Sequence, residues 1–395
     1  MNISSFLPPS LHKLIRSQSF VGLLLVGCAA VSLLLANTSA VEGYLALWNR
    51  EVGGHPLSHW IDEGLMAVFF LLVGLELKYE FLFGSLHSPR QAMVPVAAAV
   101  GGMAIPAAVY LLLNWGEPSR MGFGIPMATD IAFVLAVLAV LGRRIPAALK
   151  VFLTTLAVVD DIGAIVVIAV FYSSQISISY LMLAVALFGL LVLIGQAAMP
   201  NCRGEAIAFW VFFLVGGVAL WLLMMRSGVH ATLSGILLAA ALPAYEGQPT
   251  APAQRLQHKL HEPVFYGVLP LFVLANTAIP LNGLLPEGGN WSSWLSQPHV
   301  VGIMAGLLLG KPCGILLGAG VMKLIFSTPL PEGLGWRHLV GGAMLGGIGF
   351  TMSIFVAALS FEDPVWVASA KLAIFISSIL AAMFGALLLI GAKER

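Results

Sequence analysis

Twelve apolar runs with short polar connections organise the chain. They lie at about 20–36, 60–82, 92–113, 121–142, 147–172, 178–198, 206–225, 227–242, 263–280, 298–325, 337–359 and 365–391. Most approach the roughly 20 apolar residues that a helix needs to cross hydrocarbon. A backbone in hydrocarbon has to satisfy its own hydrogen bonds, so the pattern predicts an all-α integral membrane protein. The first run follows Lys13 and Arg16 and ends in small residues, as a signal peptide does, but is read as a retained span because the topology then closes. The stretch 37–59, with Trp48 and Pro56, is polar enough for an outer-face loop, a short hairpin compatible with a dimer contact. The stretch 243–262, with Pro243, Pro249 and Pro252, reads as a cytoplasmic linker and hinge.

Three runs depart from plain apolar composition. Segment four carries Gly122-Phe-Gly-Ile-Pro126-Met-Ala-Thr129-Asp130, and segment eleven carries Gly341-Gly-Ala-Met-Leu-Gly346-Gly-Ile-Gly349-Phe-Thr351. Both predict helices interrupted by an unwound stretch, which is tolerated at membrane depth only where backbone lines a cavity or is buried in protein. Their matching places, within 92–172 and 298–391, suggest repeat-like units of inverted topology in one transporter domain, 1–395. Spans 60–82 and 178–280 then form the rest of the bundle and an interface region. In segment ten, Gly302, Gly306, Gly310, Gly314 and Gly318 recur every fourth residue, leaving one helix face nearly bare for close packing.

Composition supports lipid as the solvent. Hydrophobic residues make up 59% and charged residues 9% of 395, with a mean hydropathy of +0.96. Soluble domains carry about 25% charged residues. The net charge of +1 offers nothing to nucleic acid. Cys28, Cys202 and Cys313 match neither a disulfide framework nor a zinc site, and no cofactor is expected. With the N-terminus in the cytoplasm, the Lys and Arg count in connections is 14 inside against 3 outside (Arg50, Arg120 and Arg226), leaving Lys311 and Lys371 in spans. That bias puts both termini on the cytoplasmic face.

The candidate chemistry is in four charges inside apolar runs: Asp130, Asp160, Asp161 and Lys311. Each costs about 2.5–3.5 kcal/mol at the bilayer centre, so they must share a protein interior or a wet funnel. Three carboxylates against one lysine leave surplus negative charge, which calls for exchangeable cations or protons. Adjacent Asp160 and Asp161 point about 100° apart on a helix, so one can line a cavity while the other turns to a neighbour. Two close carboxylates bring protons and sodium into competition, and oxygen ligands suit a hard cation. Asp130 and Lys311 can neutralise the partial charges of half-helix ends. Lys311, beside Pro312, projects from a tightly packed and locally bent helix toward the segment-five carboxylates.

Other readings of the same charges are weaker. A purely structural scaffold leaves them unexplained, and a coupled solute symporter should show a solute pocket. A channel needs no charge-compensated crossing, and an intramembrane protease lacks its Gly-x-Gly-Asp signature here.

The runs Ile61-Asp-Glu63-Gly-Leu-Met-Ala-Val-Phe-Phe-Leu-Leu-Val-Gly-Leu-Glu76, Ala128-Thr-Asp130-Ile-Ala-Phe, Val158-Val-Asp-Asp161-Ile-Gly-Ala-Ile, Ser227-Gly-Val-His-Ala-Thr-Leu and Gly310-Lys-Pro carry a resemblance over nearly the full length. The chain resembles the NhaA family of bacterial sodium/proton antiporters. The resemblance implies an inner-membrane exchanger of sodium, with lithium accepted too, at two protons per ion. It implies cation binding at Asp161 and Asp160, with Thr129 and Asp130 in the crossing of segments four and eleven, and Lys311 paired with Asp160 when sodium is absent. It further implies a pH-responsive group of Glu76, Lys78, Glu80 and His258, with Glu63 on an acidic position nearby. Gln257 stands where a glutamate is expected and Tyr79 where an arginine is, which leaves the pH set-point open. His230 and the pair His258 and His261 are otherwise ordinary interfacial histidines.

Overall fold

The computed structural model describes residues 18–142, 145–173, 176–197, 207–245, 251–284, 290–326 and 334–392. Lys13, Arg16, Arg143, Arg144, Arg203, Lys393 and Arg395 of the charge count, together with Cys202 and Pro249, lie outside the described residues.

In chain order, α1 (Gln18–Leu35) is followed by α2 (Val41–Trp48) and a two-residue hairpin, β1 (Glu51–Val52) and β2 (His55–Pro56), with Glu51 opposite Pro56. Gly53 and Gly54 turn it at φ 62° and 87°, a conformation that side chains other than glycine rarely adopt. A π-helical turn (Trp60–Leu65) leads into α3 (Met66–Leu82), then α4 (Pro89–Leu113). A 3₁₀ stretch (Pro118–Met127) precedes α5 (Ile131–Leu141), and α6 (Ala147–Phe171), α7 (Ile178–Ala197), α8 (Ile207–Ser227) and α9 (Leu233–Ala241) follow. Next come α10 (Pro252–Pro263), a π-helical turn (Val264–Val268), α11 (Leu269–Asn276) and α12 (Trp291–Leu295). The chain ends with α13 (Pro298–Ala305), a third π-helical turn (Gly306–Gly310), α14 (Lys311–Phe326), α15 (Trp336–Gly346), α16 (Phe350–Ser360) and α17 (Pro364–Gly391).

Among the described residues six helical stretches are long and apolar enough to cross a membrane, and two bent pairs raise the number to eight. Large apolar side chains such as Leu112, Val140 and Leu324 are exposed. Water would not tolerate so many of them, whereas lipid does. The two bent pairs are the segments whose glycines and proline predict interruption. The 3₁₀ stretch meets α5 at 43°, and α15 meets α16 at 41°.

Two expectations need correction. The stretch 243–262 is not a flexible hinge throughout, because α10, its π-helical turn and α11 run as one helical segment from Pro252 to Asn276. Proline sits at N1 of α10, where its missing N–H costs nothing. The run 227–242 yields a helix of only nine residues, α9, because Gly228 at φ 80° holds the chain out of helix first.

The chain divides into two compact units. One comprises Met1–Glu42, Met93–Ala164 and Asn276–Arg395; the other comprises Gly43–Ala92 and Ile165–Ala275. The first centres on the bent pairs, with Leu307, Ile315, Leu345, Phe350 and Phe355 buried. The second centres on Leu75, Leu191, Phe213, Leu220 and Ala239.

In the first unit the glycine face of α13 and α14 lies on α4. A Cβ at Gly314 would strike the carbonyl of Gly101, one at Gly318 the carbonyl of Ala97, and one at Gly310 would sit 2.8 Å from Pro106 Cα. These obstacles are backbone and cannot swing away. Backbones this close gain dispersion contact, the main attraction available between helices in lipid. Gly314→Ala should therefore lower stability by about 1–3 kcal/mol, read as a drop in thermal midpoint in detergent. Gly27→Ala, where a Cβ meets nothing, should leave the midpoint unchanged.

Candidate functional site

A broken helix exposes carbonyls at one half-helix end and amides at the next, and hydrocarbon supplies no water for either. At the first break, Pro126 lies inside the 3₁₀ stretch and Ala128 (ψ 152°) and Asp130 (ψ 98°) are extended. At the second, Gly346, Gly347 and Gly349 link α15 to α16, and a Cβ on Gly347 would strike the carbonyl of Leu307. The two breaks cross. The Asp130 amide donates to the Ile348 carbonyl at 2.7 Å.

The remaining backbone groups are met by side chains. Asp130 caps two half-helices with one carboxylate. Its Oδ1 accepts from Phe133 N at 3.2 Å in α5, and its Oδ2 accepts from Thr351 N (3.0 Å) and Thr351 Oγ1 (2.6 Å) in α16. A negative group is favoured at both of those positive ends. The Lys311 ammonium donates to the carbonyl of Met127, where the 3₁₀ stretch ends. Thr129 Oγ1 lies 2.9 Å from the carbonyl of Gly346, where α15 ends.

The ionised pair is at this crossing. Lys311 Nζ lies 2.8 Å from Asp160 Oδ2 with both side chains fully enclosed, and Thr129 Oγ1 is 2.7 Å from the same oxygen. Asp160 Oδ1 has no hydrogen-bond partner among the described residues. Asp161 follows in α6 at 5% exposure. Thr129, Asp130, Asp160, Asp161 and Lys311 all belong to the first unit. The π-helical turn Gly306–Gly310 directly precedes Lys311, and a Cβ at Gly306 would sit 2.7 Å from Pro126 Cβ. The lysine is thus delivered by a distorted helix pressed onto the first break. Pro312 announces such a distortion in sequence, although its π-helical form is visible only in the fold.

The pH-responsive candidates lie in the second unit and do not form one cluster. Lys78 Nζ donates to the carbonyls of Ala240 (2.7 Å) and Leu242 (2.5 Å), capping the C-terminal end of α9. Glu80 Oε2 accepts from Ser85 N (2.8 Å) and Ser85 Oγ (2.9 Å), tying down the chain after α3. Glu76, half-buried, is one helical turn from Glu80. Gln257 is half-buried and His258 exposed on α10, which packs against α3. Glu63 does not join them. It lies thirteen residues before Glu76, about 20 Å along a helix, and faces His230 Nδ1 at 3.6 Å. His230 Nε2 in turn meets the Tyr172 carbonyl at 2.9 Å.

Sequence reading passed over Ser353 and Ser378. Ser353 Oγ donates to the Ile125 carbonyl at 2.7 Å, and Ser378 Oγ accepts from Phe350 N at 3.2 Å. A hydroxyl on an apolar half-helix next to a glycine break is the signal that could have found Ser353; Ser378, inside the long helix α17, carries no such local mark.

Fold and site together define a multi-pass helical membrane protein of the transporter class, built round a buried charge pair at the crossing of two interrupted helices. Residues 12–389 match the family described as Na+/H+ antiporter 1, and the chain belongs to that family. It is 46% identical over 372 residues to the Na(+)/H(+) antiporter NhaA of Dechloromonas aromatica, covering 93% of this chain and 92% of the relative. It is 45% identical over 364 residues to Na(+)/H(+) antiporter NhaA 1 of Flavobacterium johnsoniae, covering 92% of each. To the NhaA of Salmonella choleraesuis it is 44% identical over 388 residues, covering 95% of this chain and 96% of the relative.

Removing one member of an enclosed ion pair strands the other. Lys311→Met should cost about 3–5 kcal/mol of stability, seen as a lower thermal midpoint. Adding Asp160→Asn removes the stranded charge, and the double variant should recover most of the loss.

Proposed function

We propose that the chain is an electrogenic sodium/proton antiporter working by alternating access, with sodium and protons competing for Asp160 and Asp161. The observation that carries this reading is the enclosed Asp160–Lys311 pair at the crossing, with a second carboxylate beside it. The relatives' names supply the ions.

Facing the cytoplasm, sodium meets the oxygens of Asp161, Asp160 and Thr129 and displaces two protons. One is held by the Asp161 carboxyl and one by the Lys311–Asp160 pair, while the Thr129 hydroxyl keeps its own. The cation takes over the role that Lys311 plays for Asp160, so the same carboxylate is never left uncompensated. Facing outward, protons return and sodium leaves. Asp130 stays with the half-helix ends, where its three hydrogen bonds hold it. Two protons per sodium move one net charge, so the membrane potential contributes about 2.3 kcal/mol per 100 mV to each cycle. Lithium, also a small hard cation, is accepted by the same oxygens.

The proposed topology has twelve spans in inverted repeat-like units, 92–172 and 298–391, in the bacterial inner membrane with both termini cytoplasmic. The 14-to-3 distribution of Lys and Arg supports it. Loop 37–59, with its exposed hairpin, is proposed as the contact between two copies of the chain. Glu76, Lys78, Glu80, Gln257 and His258 are proposed to set the pH response, with Glu63 acting separately through His230.

In everted vesicles, Asp161→Asn should abolish the sodium-driven dissipation of a proton gradient, with at least a hundredfold loss of exchange. Normal exchange by the folded variant overturns the assignment. For the pH group, Gln257→Glu adds a negative charge beside α3, and added negative charge retains protons to higher pH. The half-maximal pH of exchange should then move upward in proteoliposomes, and an unmoved profile removes position 257 from the pH response.

A further inference from the structure

The bonds that hold the crossing differ in how they respond to charge. Lys311 on the Met127 carbonyl, Asp130 on the two helix starts and Thr129 on Asp160 all involve ionised partners. One side-chain bond between the first break and α16 does not. Ser353 Oγ donates to the Ile125 carbonyl at 2.7 Å, with the serine and Ile125 both fully buried. The end carbonyls of a helix lack an internal donor, and the Ser353 hydroxyl supplies one here.

The local geometry is built around that hydroxyl. Ser353 is in the first turn of α16, its amide bonded to the Gly349 carbonyl at 2.9 Å. A Cβ on Gly349 would run into Ser353 Oγ, so glycine at the break leaves the hydroxyl room to reach across. Ile125 lies two residues before Met127, the seat of the Lys311 ammonium, and four before Thr129.

We propose that Ser353 is a positioning residue for the cation site: a neutral pin that holds the 3₁₀ half-helix in register while the charges at Lys311 and Asp160 change. The pin rests on the antiport reading for its purpose but not for its geometry. A cation or proton arriving at Asp160 weakens the hold of Lys311 on its carboxylate, whereas uncharged bonds persist. Beside the Asp130 amide on Ile348 and Thr129 at Gly346, Ser353 is the one that ties the 3₁₀ stretch itself to α16 and keeps the Met127 carbonyl and Thr129 at the same height. Losing it leaves a buried carbonyl without a donor and lets the ligand-bearing stretch shift. Misplaced ligands weaken cation binding more than they slow the cycle.

The test is Ser353→Ala, which adds no bulk, in proteoliposomes with sodium varied at fixed pH. The apparent KM for sodium should rise about tenfold, the effect of one lost buried hydrogen bond, with the maximal rate within twofold of the parent. Ser353→Cys, a weaker donor, should fall between the two. A KM within twofold of the parent in both variants overturns the proposal, as does a fall in rate alone that tracks loss of folded protein. Sodium-dependent thermal stabilisation of the purified protein separates this from the transport reading. Its half-maximal sodium concentration should shift by the same factor in Ser353→Ala. If the parent is stabilised by sodium yet exchanges no protons, the antiport reading fails while the pin is still judged by that shift.

Discussion

Hydrocarbon offers no hydrogen bonds, and the first unit is organised by that constraint. Breaking two helices at membrane depth frees amides and carbonyls that only protein can satisfy. Each freed group whose partner is seen is met by a side chain or by the other break: Asp130 serves two helix starts, Lys311 and Ser353 serve carbonyls of the 3₁₀ stretch, and the Asp130 amide serves Ile348. Charges that lipid would reject are thereby stabilised by helix ends of the opposite sign.

That solution depends on packing. Lys311 reaches Asp160 because its helix presses against α4 and the first break, which the bare glycine face permits. The π-helical turn before Lys311 shifts the helical phase just where the ammonium must turn toward the carboxylate. The outcome is an ion pair with no solvent contact. Such a pair is a weak source of stability, since desolvation offsets most of its attraction. In the proposed cycle it serves as a held charge that another cation replaces.

Much of this was legible in sequence, for physical reasons. Apolar runs of span length admit only helix in lipid, so the multi-pass class followed from hydropathy. Gly122, Gly124 and Pro126, and the glycines from 341 to 349, marked the two breaks because neither residue type sustains a helix there. Asp130, Asp160, Asp161 and Lys311 were conspicuous because charge in lipid is expensive. Ser353 was not conspicuous, since a serine in an apolar helix satisfies its hydroxyl on its own backbone as readily as on a neighbour. Glu63 was placed near Glu76 by the family resemblance, although thirteen residues of helix carry it well away.

The sequence by itself determined the solvent, the helical class, the places where helices break and the identity of the buried charges, because each follows from composition over one or two turns of chain. Only the tertiary structure decided which oxygen meets which ammonium. It brought Met127 and Asp160 to Lys311, Thr351 to Asp130, and Ile125 to Ser353, across separations of 151 to 228 residues. Those pairings depend on how close two backbones approach and how far a π-helical turn rotates a side chain, and no local pattern encodes either.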